Sequence, residues 1–484
     1  MYEPTWDSVS EHPLPQWYDD AKLGIFLHWG LYSVPGWAPQ VDNIQDLLTR
    51  EGPAAMLRDN PYAEWYLNSM QIEGSPTWTH HRQTYGQDFA YDGFRAMFDE
   101  GSRSADLTSL AALCAESGAK YVVLTTKHHE GFTLWPSVLK HPHKGAYHAE
   151  RDLVGDLSDA VRDAGMRMGL YYSGGYDWPF NEAVLRNPAD AALAVPDSRE
   201  YLQYATGHVL ELIDRYRPSV LWNDICWPGG GNLAALFAHY YNAVPDGLVN
   251  DRWLESPVKR GEVRDSLART AGTVIQGLWR FLPDSAKHLT FPSAHHYDFR
   301  TPEYAQFDEV VEKKWESTRG VGHSFGANRH ERPQDIVTTT ELVRSFCDIV
   351  SKNGNLLIGV GPGPDGTIPD EQQEPIRGLG QWLRANGDAL YGTRPWHTAA
   401  AQTTQGTEVR FTEKDREVFA LLLDLPGARS FGVRDVDLAW VRSVRLLGVG
   451  PVESRVIDGM LKVTLPETVP VQAAYTLSLG CREG

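Results

Sequence analysis

Along most of the chain, short apolar runs alternate with stretches whose apolar residues recur every three or four positions, the pattern of strands alternating with helices. Leu23 to Trp29 reads as the first strand, preceded by Pro13 and Pro15 and closed by Gly30. A long variable stretch follows. Asp106 then opens a helix carrying Leu107, Leu110 and Cys114, Gly118 ends it, and Tyr121 to Lys127 is the next strand. The unit repeats: Asp152 opens a helix with Val154, Leu157 and Val161 on one face, Gly165 closes it, and Met168 to Tyr172 is a strand. It repeats again. Leu202, Val209, Ile213 and Tyr216 mark a helix that must stop at Arg217-Pro218, because the residue before a proline is pushed out of the helical region. Val220, Leu221 and Trp222 follow as a strand that ends at Asp224. Gly247 to Asp251 and Gly354 to Val360 are further strands, the latter preceded by a helix with Leu342, Phe346 and Ile349.

Strands alternating with helices pair in parallel through right-handed crossovers, and this many units predict an α/β fold, a (β/α)8-like barrel of irregular kind. Not every strand can be located by period, and residues 254–296 show no clean period and read as an inserted loop. The pattern changes near Pro395. Val418 to Leu423, Val441 to Leu447 and Leu461 to Thr464 are short strands divided by Gly, Pro and Asp. The expected organisation is a catalytic barrel over 1–395 and an all-β sandwich over 396–484.

In a barrel the strand ends meet at one rim, and chemistry sits at the C-terminal ends. The polar groups there are His28, the run Lys127-His128-His129-Glu130, Tyr171 with Tyr172, Asp224, and Asp251-Arg252-Trp253. An isolated Asp after a strand is more often a cap or a turn residue; here its neighbours argue for a nucleophile. The adjacent His128 and His129 do not predict a metal site, because neighbours on a strand point to opposite faces and no HExxH pair occurs. Imidazoles donating hydrogen bonds to a polar substrate fit better.

Composition narrows the substrate. Sixteen Trp and twenty-one Tyr in 484 residues suit stacking on the C–H faces of sugars, although an aromatic-rich core would read the same way. The net charge of -18 argues against nucleic acid and against an anionic membrane surface, and suits a neutral substrate. Cys114, Cys226, Cys347 and Cys481 form no close-spaced framework, and Cys114 and Cys347 read as small buried hydrophobes. Met1 to Trp6 carries no basic run leading into an apolar stretch, so a cytoplasmic location is expected. No cofactor is expected: Gly359-Val360-Gly361-Pro362-Gly363 lacks the spacing and context of a dinucleotide loop.

Several stretches, in order, resemble glycoside hydrolase family 29, the α-L-fucosidases. They are Trp17-Tyr18, Ala21 to Gly30, Tyr32 to Pro35, Glu64-Trp65-Tyr66, Lys127 to Phe132, Leu221 to Asp224, Asn250 to Trp253 and Ser351 to Leu357. The resemblance implies a retaining glycosidase with Asp224 as nucleophile. It implies sugar contacts at His28, Glu64, Trp65, His128, His129, Tyr171, Trp222, Arg252 and Phe325. The acid/base is less well fixed. Thr301-Pro302-Glu303-Tyr304 matches the family's context for it, so Glu303 is the first choice, but a long intervening segment keeps Glu255, Glu262, Glu309 and Glu316 open. Glu130 stands where the family has Asp, and Ala327 where an aromatic is frequent. The expected partner is a fucosylated oligosaccharide or glycoconjugate, with a homo-oligomer left open. A retaining glycosidase for a fucose-like sugar, or a carbohydrate-binding protein with a dead site, are the competing readings.

Overall fold

In a computed structural model of the protein, the described residues are 1–480 except 42, 43, 182, 257–265, 267–269, 271, 273, 275, 276, 280–293 and 306. Seven parallel strands form one sheet: β1 (Leu23–Leu27), β2 (Tyr121–Lys127), β3 (Arg167–Ser173), β4 (Val220–Asp224), β5 (Leu248–Val249), β6 (Trp315–Gly320) and β7 (Gly354–Val360). Their spatial order is β5-β4-β3-β2-β1-β7-β6. The two edges meet through the segment from Asp298 to Glu303. Asn250 bridges Phe299 on one side, while Arg300 bridges Trp315 and Glu303 bridges Thr318 on the other, all in parallel. The bonds are Asp298 N to Val249 O at 2.9 Å, Glu316 N to Arg300 O at 2.7 Å and Thr318 N to Pro302 O at 3.2 Å. This irregular segment therefore occupies the eighth position of a (β/α) barrel, and going round the barrel follows chain order.

The helices form where the period predicted them. Asp106 and Asp152 each accept a hydrogen bond from a first-turn N–H, capping helices Leu107–Glu116 and Leu153–Asp163. Helix Arg199–Tyr216 ends at Arg217 in the left-handed conformation, φ 47°, directly before Pro218. Helices Leu233–Ala243, Thr339–Ser351 and Asp370–Asn386 complete the described outer layer.

Both faces of each barrel strand are buried, as a parallel sheet requires. Leu23, Ile25, Leu27, Leu221 and Leu356 pack outward with the helices. Phe26, Tyr121, Val123, Tyr171, Val220, Trp222, Phe299 and Leu357 fill the interior. Truncating one of these interior aromatics to Ala would cost about 3–5 kcal/mol. The period of two then places Asp224 above Trp222 on the same face, at the rim.

From Arg394 onward the chain is antiparallel. A six-stranded sheet and a three-stranded sheet pack together around Val409, Phe411, Leu422, Phe431, Val463 and Leu477, forming a sandwich. Arg410 of this module pairs with Asp348 on helix Thr339–Ser351, which ties the module to the barrel. Cys114 and Cys347 are buried and free, Cys226 is buried, and Cys481 lies outside the described residues. Among the described residues no helix is long and apolar enough to cross a membrane.

Candidate active site

Asp224, the last residue of β4, is 9% exposed at the rim. Its two carboxylate oxygens have different surroundings. Oδ1 accepts from Arg252 Nη1 and from Ile225 N, both at 2.8 Å. Oδ2 accepts from the Tyr171 hydroxyl at 2.8 Å and lies 3.9 Å from His129 Nε2. Ile225 has φ 69°, which for a β-branched residue costs on the order of 1–3 kcal/mol. That turn is what swings the Ile225 N–H back onto the carboxylate.

Arg252 holds a second carboxyl. Its Nη2 lies 2.7 Å from Glu303 Oε1, and the guanidinium is fixed by Thr301, with Nε to Oγ1 at 3.0 Å and Nη2 to the carbonyl at 2.9 Å. Its plane lies over the Trp222 ring at 4.8 Å. Burial opposes its charge, but the carboxylates of Glu303 and Asp224 override burial and hold its pKa above the ordinary value. Asn223, on the opposite face of β4, sets the depth of this arginine: its Nδ2 donates to Arg252 O at 2.7 Å and Cys226 O at 3.0 Å, and its Oδ1 accepts from Gly174 N at 3.1 Å.

The remaining expected sugar contacts converge here. His28 follows β1, with its ring 6.0 Å from His128 and 5.0 Å from Phe325. Tyr171 stacks on Trp222 at 5.5 Å and on His128 at 5.7 Å. Trp65 stands edge-on to His129 at 5.3 Å. Glu64 accepts from Gly326 N at 2.8 Å and Ser324 Oγ at 3.2 Å, which anchors the loop bearing Phe325. Burial raises the Glu64 pKa against those hydrogen bonds, and burial pushes His28 and His129 well below the usual imidazole range.

The two adjacent histidines depart from the expected geometry. β2 ends at Lys127, so His128 and His129 lie in the turn beyond it and strand alternation no longer applies. Their ring centroids are 3.9 Å apart and both face Asp224. The polarity of His129 also differs from the expected donor. Ser173 Oγ donates to Tyr176 O at 2.9 Å, so at 2.7 Å from His129 Nδ1 it must accept. The ring proton sits on Nδ1, and Nε2 presents a lone pair to the pocket.

The rival acids are placed apart. Glu316 is fully buried inside the barrel, accepting from Tyr121 at 2.5 Å, Tyr18 at 2.8 Å and Trp222 Nε1 at 3.1 Å. It braces Trp222 from below. Glu309 is exposed on a loop, and Glu255 is exposed beside the isolated bridge to Trp227. Glu262 lies outside the described residues, as does most of the 254–296 stretch.

Sequence reasoning missed an aromatic wall. Tyr62, Tyr304 and Phe26 approach Phe325 at 5.7, 6.0 and 6.4 Å. Phe26 was readable, since it alternates with His28 on one strand face. Tyr62 and Tyr304 sit outside any period, and Tyr304 entered only as the context of Glu303. Ser173, which sets the His129 proton, had no signal either.

The family model for alpha-L-fucosidase matches residues 1–388. An alpha-L-fucosidase of Dictyostelium discoideum is 31% identical over 440 residues, covering 88% of this chain and 81% of that protein. Rat plasma alpha-L-fucosidase is 32% identical over 462 residues, covering 93% and 86%. The crystal structure of Thermotoga maritima alpha-fucosidase in complex with a mechanism-based inhibitor has a TM-score of 0.82 at 41% identity, covering 99% of this chain and 100% of that one. With a barrel rim, a paired set of carboxyls and a family match across the whole barrel, the chain belongs to the alpha-L-fucosidases, glycoside hydrolase family 29.

Proposed function

We propose that the protein is an exo-acting, retaining α-L-fucosidase that releases terminal α-L-fucosyl residues from oligosaccharides or glycoconjugates, with Asp224 as nucleophile and Glu303 as acid/base. The observation that carries the assignment of roles is the shared guanidinium: Arg252 lies 2.8 Å from Asp224 and 2.7 Å from Glu303. Retaining enzymes keep their two carboxyls about 5–5.5 Å apart, and two carboxyls on neighbouring nitrogens of one guanidinium are compatible with that separation.

Asp224 Oδ2, with one strong donor against two on Oδ1, is the oxygen that attacks the anomeric carbon. As the C1–oxygen bond of the glycoside breaks, Glu303 gives its proton to the departing oxygen, and Asp224 is left as an ester. Glu303, now ionised and held by Arg252, takes a proton from water. That water attacks C1 and frees Asp224 with net retention. Fucose presents one methyl and three ring hydroxyls. The Tyr62, Tyr304 and Phe325 side chains suit the methyl, and His28, His128, His129 and Glu64 suit the hydroxyls, with His129 Nε2 as an acceptor.

The test is Asp224→Gly. Turnover of an aryl α-L-fucoside should be lost and partly restored by azide, giving the β-fucosyl azide because azide enters from the vacated face. An α-azide product, or activity near wild type, would remove Asp224 from the role. Aryl α-galactosides run in parallel separate fucose from a fucose-like sugar.

A further inference from the structure

Three side chains of the sugar pocket also make up a donor set of a kind that holds metal ions. His128, His129 and Asp224 each offer one ligand atom, all within 4.8 Å of one another, and both histidines are buried. A tetrahedral zinc site holds its ligand atoms roughly 3.3 Å apart, so shifts on the order of 1 Å would close this one.

The surroundings resemble those that orient metal-binding imidazoles. A ligating histidine normally gives its second ring nitrogen to an acceptor, which fixes the tautomer and aims the other nitrogen. His129 does this with Ser173 Oγ at 2.7 Å, and its free Nε2 faces Asp224. His128 points its Nδ1 at the Glu130 carboxylate, 3.6 Å away. His128 Nδ1 and both Glu130 oxygens are buried without a hydrogen-bond partner. Each imidazole thus has an acceptor beside its Nδ1, hydrogen-bonded for His129 and 3.6 Å away for His128, and both rings lie next to Asp224. Arg252 stays on Oδ1 of Asp224, while Oδ2 carries a single neutral donor, the Tyr171 hydroxyl at 2.8 Å, which a cation would have to share or displace. Two imidazoles and one carboxylate, with a position open to solvent, suit Zn²⁺ or Cu²⁺ rather than Mg²⁺ or Ca²⁺, which take oxygen sets.

We propose that His128, His129 and Asp224 form a binding site for one Zn²⁺ or Cu²⁺ ion, and that this ion and a fucosyl unit exclude one another. The second half rests on the sugar reading above; the first does not. The cation would cover the nucleophilic oxygen, making it a reversible inhibitor competing with substrate.

Chelator-stripped full-length enzyme is dialysed against ZnCl₂ alone, and separately titrated with Co²⁺ while its visible absorption is followed. One Zn²⁺ per chain and a Co²⁺ band of four- or five-coordinate type are expected. Glu130→Gln, which keeps shape and loses charge, should weaken Zn²⁺ binding by about ten- to a hundredfold. The double variant H128A/H129A should lose the site while keeping the wild-type melting profile. No stoichiometric binding, or binding unchanged in the double variant, overturns the site. Fucose competition in the wild type is the second measurement and needs no variant. Displacement of Zn²⁺ by fucose supports the whole proposal. Zn²⁺ that is lost in the imidazole variants yet unmoved by fucose upholds the metal site and counts against the sugar reading.

Discussion

Arg252→Lys isolates the bridging role of the guanidinium. The wild-type side chain makes four hydrogen bonds, one each to Asp224 and Glu303 and two to Thr301. A lysine ammonium keeps the charge but is a single point, and it cannot lie along both carboxylates while fixed by Thr301. Losing one charge-assisted hydrogen bond costs about 1.5–3 kcal/mol. At 1.36 kcal/mol per decade this predicts a fall in kcat/KM of roughly 10- to 150-fold. Arg252→Ala loses both carboxylate bonds and leaves two acids facing each other, so the expected fall is roughly 10²- to 10⁴-fold. The assay is kcat/KM on an aryl α-L-fucoside, with melting temperature as the control for folding. The side chain is 21% exposed and its loss leaves two carboxylates unpaired, so Arg252→Ala should also melt lower, and rates are compared at a temperature where all variants are folded. If both variants keep activity within threefold of wild type, the bridge is a resting-state contact without a part in catalysis, and the assignment of Glu303 loses its main support.

Glu303→Ala should slow glycosides with poor leaving groups far more than activated aryl glycosides; equal losses on both would reject it as the acid. Asn223→Asp keeps the bond from Gly174 N but sets an acceptor against the Arg252 and Cys226 carbonyls, and should destabilise the enzyme by about 1–3 kcal/mol and lower kcat/KM; an unchanged melt and rate would refute its positioning role. Glu331 accepts from Ser324 N at 2.8 Å beneath the Phe325 loop, and burial pushes its pKa up to about 7 despite that bond. Because the folded state binds the proton more tightly, this group's contribution, about 3 kcal/mol, is present below pH 4.5 and is lost as pH rises through about 7. Glu331→Gln should therefore gain on wild type in thermal melts between pH 5 and pH 8, and a pH-independent difference would refute the account.

What the sequence determined by itself is what depends on neighbours along the chain. A period of two or of three to four residues is a local property, so strands Tyr121–Lys127 and Gly354–Val360 were readable to the residue, and Asp106 and Asp152 were readable as helix starts. The position of Asp224 followed from its being the carboxylate that ends the strand opened by Val220, Leu221 and Trp222. Tertiary structure decided the rest. The segment from Asp298 to Glu303 has no strand period of its own, because the backbones of β5 and β6 on either side hold it in place. Only that closure brings Glu303 to the rim and sends Glu316, a second glutamate thirteen residues on, to the barrel interior under Trp222. The proton on His129 was likewise beyond sequence, since it is set by a serine forty-four residues away that has already spent its own hydrogen on a carbonyl. Spacing along the chain specifies which faces are buried; which buried polar groups meet is a property of the closed barrel.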